Sequence, residues 1–110
     1  MSEVVQLTND TFKEIVLRSD HPVVIDFWGP QCVPCKQLDP FLDALSVELS
    51  GVVKFTKVVA PENRKLCVDL RIMGLPSFLA FKDGKVGQGT APAVGSATEA
   101  GPERHLLYRL

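Results

Sequence analysis

The sequence has no apolar run close to the roughly 20 residues that a membrane-spanning helix needs, so no membrane span is expected. Its N-terminus has no basic segment followed by an apolar stretch, so a secretory signal peptide is not expected. The formal net charge is only −1, with Lys and Arg scattered along the chain. A nucleic-acid surface needs a basic patch, so neither nucleic acid nor membrane is expected as a partner.

Glycine is sparse in most of the chain but frequent near its end, where four of the eight glycines fall between residues 87 and 101. Large aliphatic side chains are almost absent from that stretch. The composition therefore changes near residue 87. We expect residues 1–110 to form a single domain, with an atypical C-terminal segment over 87–110 that includes a short final helix.

The strongest apolar run predicts a central strand. Residues 23–28 are apolar on both phases apart from Asp26, a pattern typical of an α/β strand that is covered on both faces. After a break at Gly29, apolar residues recur at helical spacing over 38–49, which predicts a long helix with Pro40 inside it.

The rest of the pattern completes an α/β arrangement. Strands are predicted over 53–59 and 77–81, with a helix-compatible stretch over 62–72 between them. Asp83-Gly84 is a strong hairpin signal and predicts an antiparallel final strand. With a short first strand and helix, the order is β-α-β-α-β-α-β-β, a mixed sheet with helices on both faces.

The motif with the clearest chemistry is the pair Cys32 and Cys35, at the junction between the central strand and the long helix. Unpaired N–H groups and the helix dipole favour a thiolate at Cys32. Cys35 is then placed to attack a mixed disulfide formed on Cys32, as thiol–disulfide exchange requires. Pro34 lacks an N–H that the first helical turn would leave unpaired.

Two other interpretations of the cysteine pair remain. A structural zinc site needs four ligands, and the remaining candidates Cys67, His21 and His105 are single and badly spaced. A structural pair without redox activity is the second alternative. The position at a helix start favours the redox interpretation, with no metal and no cofactor.

Two charges interrupt the apolar strand patterns. Asp26 lies in the central strand, and Lys57 lies on the phase of Phe55 and Val59 in the next one. Buried opposite charges are tolerated when they lie close together, directly or through water. Desolvation would raise the pKa of Asp26, Lys57 would oppose that rise, and the carboxyl could exchange a proton with Cys35. Alternatively, a bend lets Asp26 reach solvent.

The third cysteine, Cys67, lies on the third predicted helix. A free cysteine is usually a small buried apolar residue, and a regulatory or intermolecular thiol is the alternative. With three cysteines not every thiol can pair internally, which fits a reducing compartment. Together with the expected absence of a signal peptide, this favours the cytoplasm.

These motifs resemble the thioredoxin family over residues 3–86. The resemblance rests on the run 24–28, on Cys32-Val33-Pro34-Cys35-Lys36, on Pro40, on Lys57 nineteen residues before Pro76, and on the segment 73–77. It implies a thioredoxin fold with a central sheet of four to five strands, and a poor match over 87–110.

The resemblance also implies roles for individual residues. Cys32 would attack a target disulfide, Cys35 would resolve the mixed disulfide, and Asp26 with Lys57 would relay the proton. Pro76 marks a strand start and would be trans by default, whereas the resemblance implies a cis bond. A substrate groove would be formed by Trp28, Val33, Pro34, Met73, Gly74, Leu75 and Pro76.

The implied function is reduction of disulfides in target proteins, with electrons supplied by a thioredoxin reductase. Two residues depart from the family pattern, because Gln31 stands where a Trp is usual and Val33 where a Gly is usual. A more oxidising disulfide oxidase or isomerase is one alternative function. A non-catalytic, redox-sensitive binding module is the other.

Overall fold

The computed structural model describes residues 2–86. The elements in chain order are β1 (Val5–Gln6), a π-type turn (Lys13–Leu17), β2 (Val23–Trp28), α1 (Val33–Glu48), β3 (Lys54–Val59), a 3-10 turn (Ala60–Glu62), α2 (Arg64–Asp69), β4 (Ser77–Lys82) and β5 (Lys85–Val86). This is the predicted order of elements. The expected atypical segment over 87–110, with its final helix, lies outside the described residues.

The strands form one mixed five-stranded sheet in the order β1-β3-β2-β4-β5. β2 lies at the centre and pairs parallel with β3 and antiparallel with β4. β1 runs parallel to β3, and β5 runs antiparallel to β4. The predicted hairpin is confirmed, since Asp83 and Gly84 both have positive φ angles (55° and 78°), as a tight type I′ turn requires.

One face of the sheet carries the main core. Alternate residues of β2, Val23, Ile25 and Phe27, are 0% exposed and join apolar residues from β4, the π-type turn and α2. The buried cluster is Leu7, Phe12, Val16, Val23, Ile25, Phe27, Val58, Leu66, Leu70, Leu79, Phe81 and Val86.

The opposite face carries the charged strand residues and is covered by α1. Asp26 and Lys57 are register partners on β2 and β3, so they lie on this same face. Asp39 of α1 reaches Lys57, which fixes the helix over the strands. The predicted helices on both faces of the sheet are therefore present.

α1 buries only part of its apolar face, since two apolar residues of that face are exposed. The other residues of the face are half-buried: Leu38, Leu42 and Leu49. Phe41 and Leu45 are 67% and 40% exposed, whereas Ser46 is only 2% exposed. The Ser46 hydroxyl accepts a hydrogen bond from Glu3 N (2.9 Å) and donates one to the Asp43 carbonyl (2.7 Å). These bonds satisfy a buried polar group and tie the N-terminal segment to the helix.

Candidate active site

The cysteine pair lies at the N-terminus of α1. Cys32 is the N-cap residue, and its Sγ accepts a hydrogen bond from the Cys35 backbone N–H at 3.2 Å. The two Cα atoms are 5.3 Å apart and the two sulfurs form a disulfide. An N–H group aimed at the Cys32 sulfur, together with the helix N-terminus, stabilises negative charge there once the bond is reduced.

The two sulfurs differ in access. Cys32 is partly exposed, whereas Cys35 is 1% exposed. An incoming protein disulfide can therefore reach Cys32, while Cys35 can react only with a group already attached to its neighbour. This asymmetry fits the order of events in dithiol–disulfide exchange.

Asp26 is the buried acid of the site. Its side chain lies on the sheet face that α1 covers, it is 2% exposed, and its Oδ1 has no hydrogen-bond partner among the described residues. Burial raises the pKa of Asp26 from 3.8 to about 7, with the charge of Lys57 lowering it and the charge of Asp39 raising it further. Asp26 can thus take up or release a proton near neutral pH, and it does not reach solvent through a bend.

The Lys57 ammonium is held by two groups. It donates a hydrogen bond to Asp39 Oδ1 at 2.8 Å, and it lies 4.7 Å from the centroid of the Trp28 ring. Lys57 was predicted as the partner of Asp26. It is the register neighbour of Asp26 and acts on it electrostatically, but its ion-pair partner is Asp39.

The sequence patterns do not predict Asp39 as a site residue. Its spacing offered one signal, because it lies four residues after Cys35 and so one helical turn away on the same side of α1. What the sequence did not show is that this turn lies over Lys57.

The loop 73–76 lies against the turn that precedes the cysteine pair. The Leu75–Pro76 peptide bond is cis, which is the conformation that the family resemblance implies. A Cβ built on Gly29 would lie 3.3 Å from Leu75 Cδ1, so the loop packs directly against the turn that leads to Cys32. Pro76 is buried, whereas Met73 is 81% exposed.

The other predicted groove residues differ in how exposed they are. Val33 is 61% exposed and Pro34 is also exposed, so both form the rim around Cys32. Trp28 is partly buried, and its Nε1 has no hydrogen-bond partner among the described residues. The Trp28 ring thus packs against the Lys57 ammonium, 4.7 Å from Nζ to its centroid.

Cys67 lines a cleft of about 280 Å³ that it shares with Met73, Gly74 and Leu75 of the predicted groove. The thiol is partly buried, packs against the main core, and lies 3.8 Å from the Ala60 carbonyl oxygen. Burial raises the pKa of Cys67, which disfavours its thiolate. Within residues 2–86, no group of three or more His, Cys, Asp or Glu side chains could hold a metal ion.

No helix among the described residues is both long enough and apolar enough to cross a membrane.

Comparison with known proteins gives a consistent result. The family profile named Thioredoxin matches residues 3–101. Thioredoxin 1 of Nostoc sp. is 36% identical over 107 residues, which cover 96% of this chain and all of that relative. Thioredoxin of Haemophilus influenzae is 37% identical over 78% of this chain and 80% of its own length. Thioredoxin of Rickettsia felis is 42% identical, with coverages of 72% and 75%.

Proposed function

The chain belongs to the thioredoxin family of dithiol–disulfide oxidoreductases, and we propose that it reduces target proteins with Cys32 as the attacking thiol and Cys35 as the resolving thiol. The observation that supports these roles best is the asymmetry of the pair. Cys32 is the accessible helix N-cap with an N–H on its sulfur, and Cys35 is buried behind it.

The reaction proceeds in two exchanges. The Cys32 thiolate attacks one sulfur of a target disulfide, which forms a mixed disulfide and releases the first target thiolate. Cys35 then loses its proton and attacks the Cys32 sulfur, which forms the Cys32–Cys35 disulfide and releases the second target thiolate. Two electrons pass to the target, and the target thiolates take up two protons.

Asp26 serves the second exchange. A buried thiol needs a base to accept its proton, and Asp26 is the buried carboxyl on the face that α1 covers. Because the pKa of Asp26 is about 7, its carboxylate can take the Cys35 proton near neutral pH and return it in the reverse reaction. Lys57 limits how far burial raises that pKa.

The target segment binds along the loop 73–76. Leu75 of this loop packs against Gly29, in the turn that leads to Cys32, and an extended peptide can use the backbone of Gly74 and Leu75 in the manner of an added strand. Val33, Pro34 and Met73 supply exposed surface around the sulfur, while Trp28 and Pro76 support the groove from below.

A thioredoxin reductase returns the pair to the dithiol, so the protein carries electrons from that enzyme to its targets. A reducing compartment such as the cytoplasm fits the unpaired Cys67 thiol.

Insulin-disulfide reduction tests this assignment. Turnover is expected both with dithiothreitol and with NADPH plus a bacterial thioredoxin reductase, and Cys32→Ser should have none. Turnover with dithiothreitol but not with NADPH plus the reductase would refute the reductase as partner. The absence of turnover with either reductant would favour the redox-sensitive binding module.

A further inference from the structure

Three charged side chains lie on the covered face of the sheet or reach it from α1. Asp26 lies on β2, Lys57 is its neighbour on β3, and Asp39 comes down from α1. From β4, the register neighbour of Asp26 is Phe78, which carries no charge. The cysteine pair at the start of α1 adds titratable thiols only once its disulfide is reduced. Lys57 is thus the strand neighbour of one carboxyl group and the ion-pair partner of the other.

The Lys57 ammonium pairs with the more exposed carboxylate, that of Asp39. Lys57 Nζ lies 2.8 Å from Asp39 Oδ1, whereas Oδ1 of the buried Asp26 has no hydrogen-bond partner among the described residues. The Trp28 ring, 4.7 Å from Nζ, adds a second contact at the same place. The Lys57 and Asp39 side chains are only 14% and 31% exposed, so solvent screens the pair incompletely.

We propose that Asp39 is a positioning residue for the exchange reaction: its carboxylate holds the Lys57 ammonium away from Asp26 and so keeps the buried carboxyl able to carry a proton at neutral pH. The proposal rests on the proposed role of Asp26 as the proton carrier. It assigns to Asp39 a task that the cysteine motif, the buried acid and the cis-proline loop do not perform.

The electrostatic reason is competition for one cation. An ammonium free to approach Asp26 would stabilise its carboxylate and lower its pKa strongly, since opposite charges within about 4–6 Å shift a carboxyl by one to three units. Asp39 removes part of that stabilisation in two ways. It draws the ammonium to itself, and its own negative charge raises the pKa of Asp26.

The test is the titration of Asp26, followed by carbon-13 NMR of its side-chain carboxyl. In Asp39→Asn we expect the midpoint to fall by about one pH unit, because Lys57 is released toward Asp26. The pH profile of mixed-disulfide resolution should move to lower pH by the same amount. Asp39→Glu should restore the original midpoint, since it can still pair with Lys57.

Two controls separate positioning from general charge effects. Asp43→Asn removes the same charge one helical turn further along α1, and it should leave the Asp26 midpoint unchanged. In a Lys57→Gln background, Asp39→Asn should shift the midpoint much less than in the wild-type background, because no cation remains to be repositioned.

The result that would overturn the proposal is an unmoved Asp26 midpoint in Asp39→Asn, or an equal shift with and without Lys57. The titration does not depend on turnover. If the midpoint shifts but the protein fails to reduce insulin, the proposed function is contradicted and the role of Asp39 is not. If the protein reduces insulin but the midpoint does not shift, the role of Asp39 is contradicted and the proposed function is not.

Discussion

Cys35→Ser is expected to stop turnover and to accumulate the protein as mixed disulfides with its targets. The partly exposed Cys32 can still attack, but a buried serine hydroxyl in place of the Cys35 thiol cannot displace the target as a thiolate would. An external thiol must then perform a step that was intramolecular. Because well-oriented intramolecular reactions have very high effective molarities, insulin reduction should slow by at least about 1,000-fold.

The trapped species can be detected by mass spectrometry and on non-reducing gels. The matched control is Cys32→Ser, which should trap nothing, since Cys35 is inaccessible to a protein disulfide. Both variants are best made in a Cys67→Ser background, so that the third thiol contributes no adducts. Equal trapping by the two variants would contradict the assignment of nucleophile and resolving thiol.

Asp26→Asn is expected to raise the free energy of unfolding at pH 8 and to change it little at pH 4. The pKa of Asp26 rises from 3.8 to about 7 in the folded protein. Between these values the folded state keeps a proton that the unfolded state has lost, so wild-type stability falls as pH rises from about 4 to about 7. The full gap corresponds to roughly 4 kcal/mol, which sets the upper limit of the gain at pH 8.

Chemical denaturation of both proteins across this pH range measures the effect. The difference between variant and wild type should grow from pH 4 to pH 7 and then stay constant, because Asn cannot ionise. A constant difference at all pH values would show that the carboxyl titrates normally in the folded state. The same substitution should slow release of the mixed disulfide near neutral pH, and an unchanged rate would remove Asp26 from the proton transfer.

Much of this architecture could be predicted from local sequence features. The apolar run over 23–28 identified the central strand, because a strand covered on both faces has few polar positions. Asp83-Gly84 identified the hairpin, because both residues tolerate positive φ angles. The strand-to-helix junction predicted that Cys32 lies at the start of a helix. That position by itself explains why the thiolate of Cys32 is stabilised.

Features set by tertiary contacts could not be predicted in this way. The apolar spacing over 38–49 predicts a single inward face, but Phe41 and Leu45 on that face are exposed, whereas Ser46, hydrogen-bonded to Glu3 N, is buried. Asp39, two helical turns before Ser46, reaches Lys57 through a contact that the local pattern does not predict. The spacing of apolar residues predicts which face of a helix is apolar. Which face is buried depends on the elements that pack against the helix.

Within residues 3–86, the rim around the nucleophile departs from the family pattern at two positions. Gln31 and Val33 are both exposed beside Cys32, so they change the surface presented to a target without altering the buried apparatus of Cys35 and Asp26. They are therefore expected to affect the choice of target more than the direction of electron transfer.

The reduction potential of the Cys32–Cys35 pair is the measurement that tests the reductase assignment most directly. Thioredoxins have potentials of about −270 mV, and glutaredoxins lie between about −200 and −230 mV. Equilibration with defined ratios of reduced and oxidised dithiothreitol should give a value below about −230 mV for this pair. A potential in the glutaredoxin range or more oxidising would contradict the reductase assignment and favour an oxidase or isomerase.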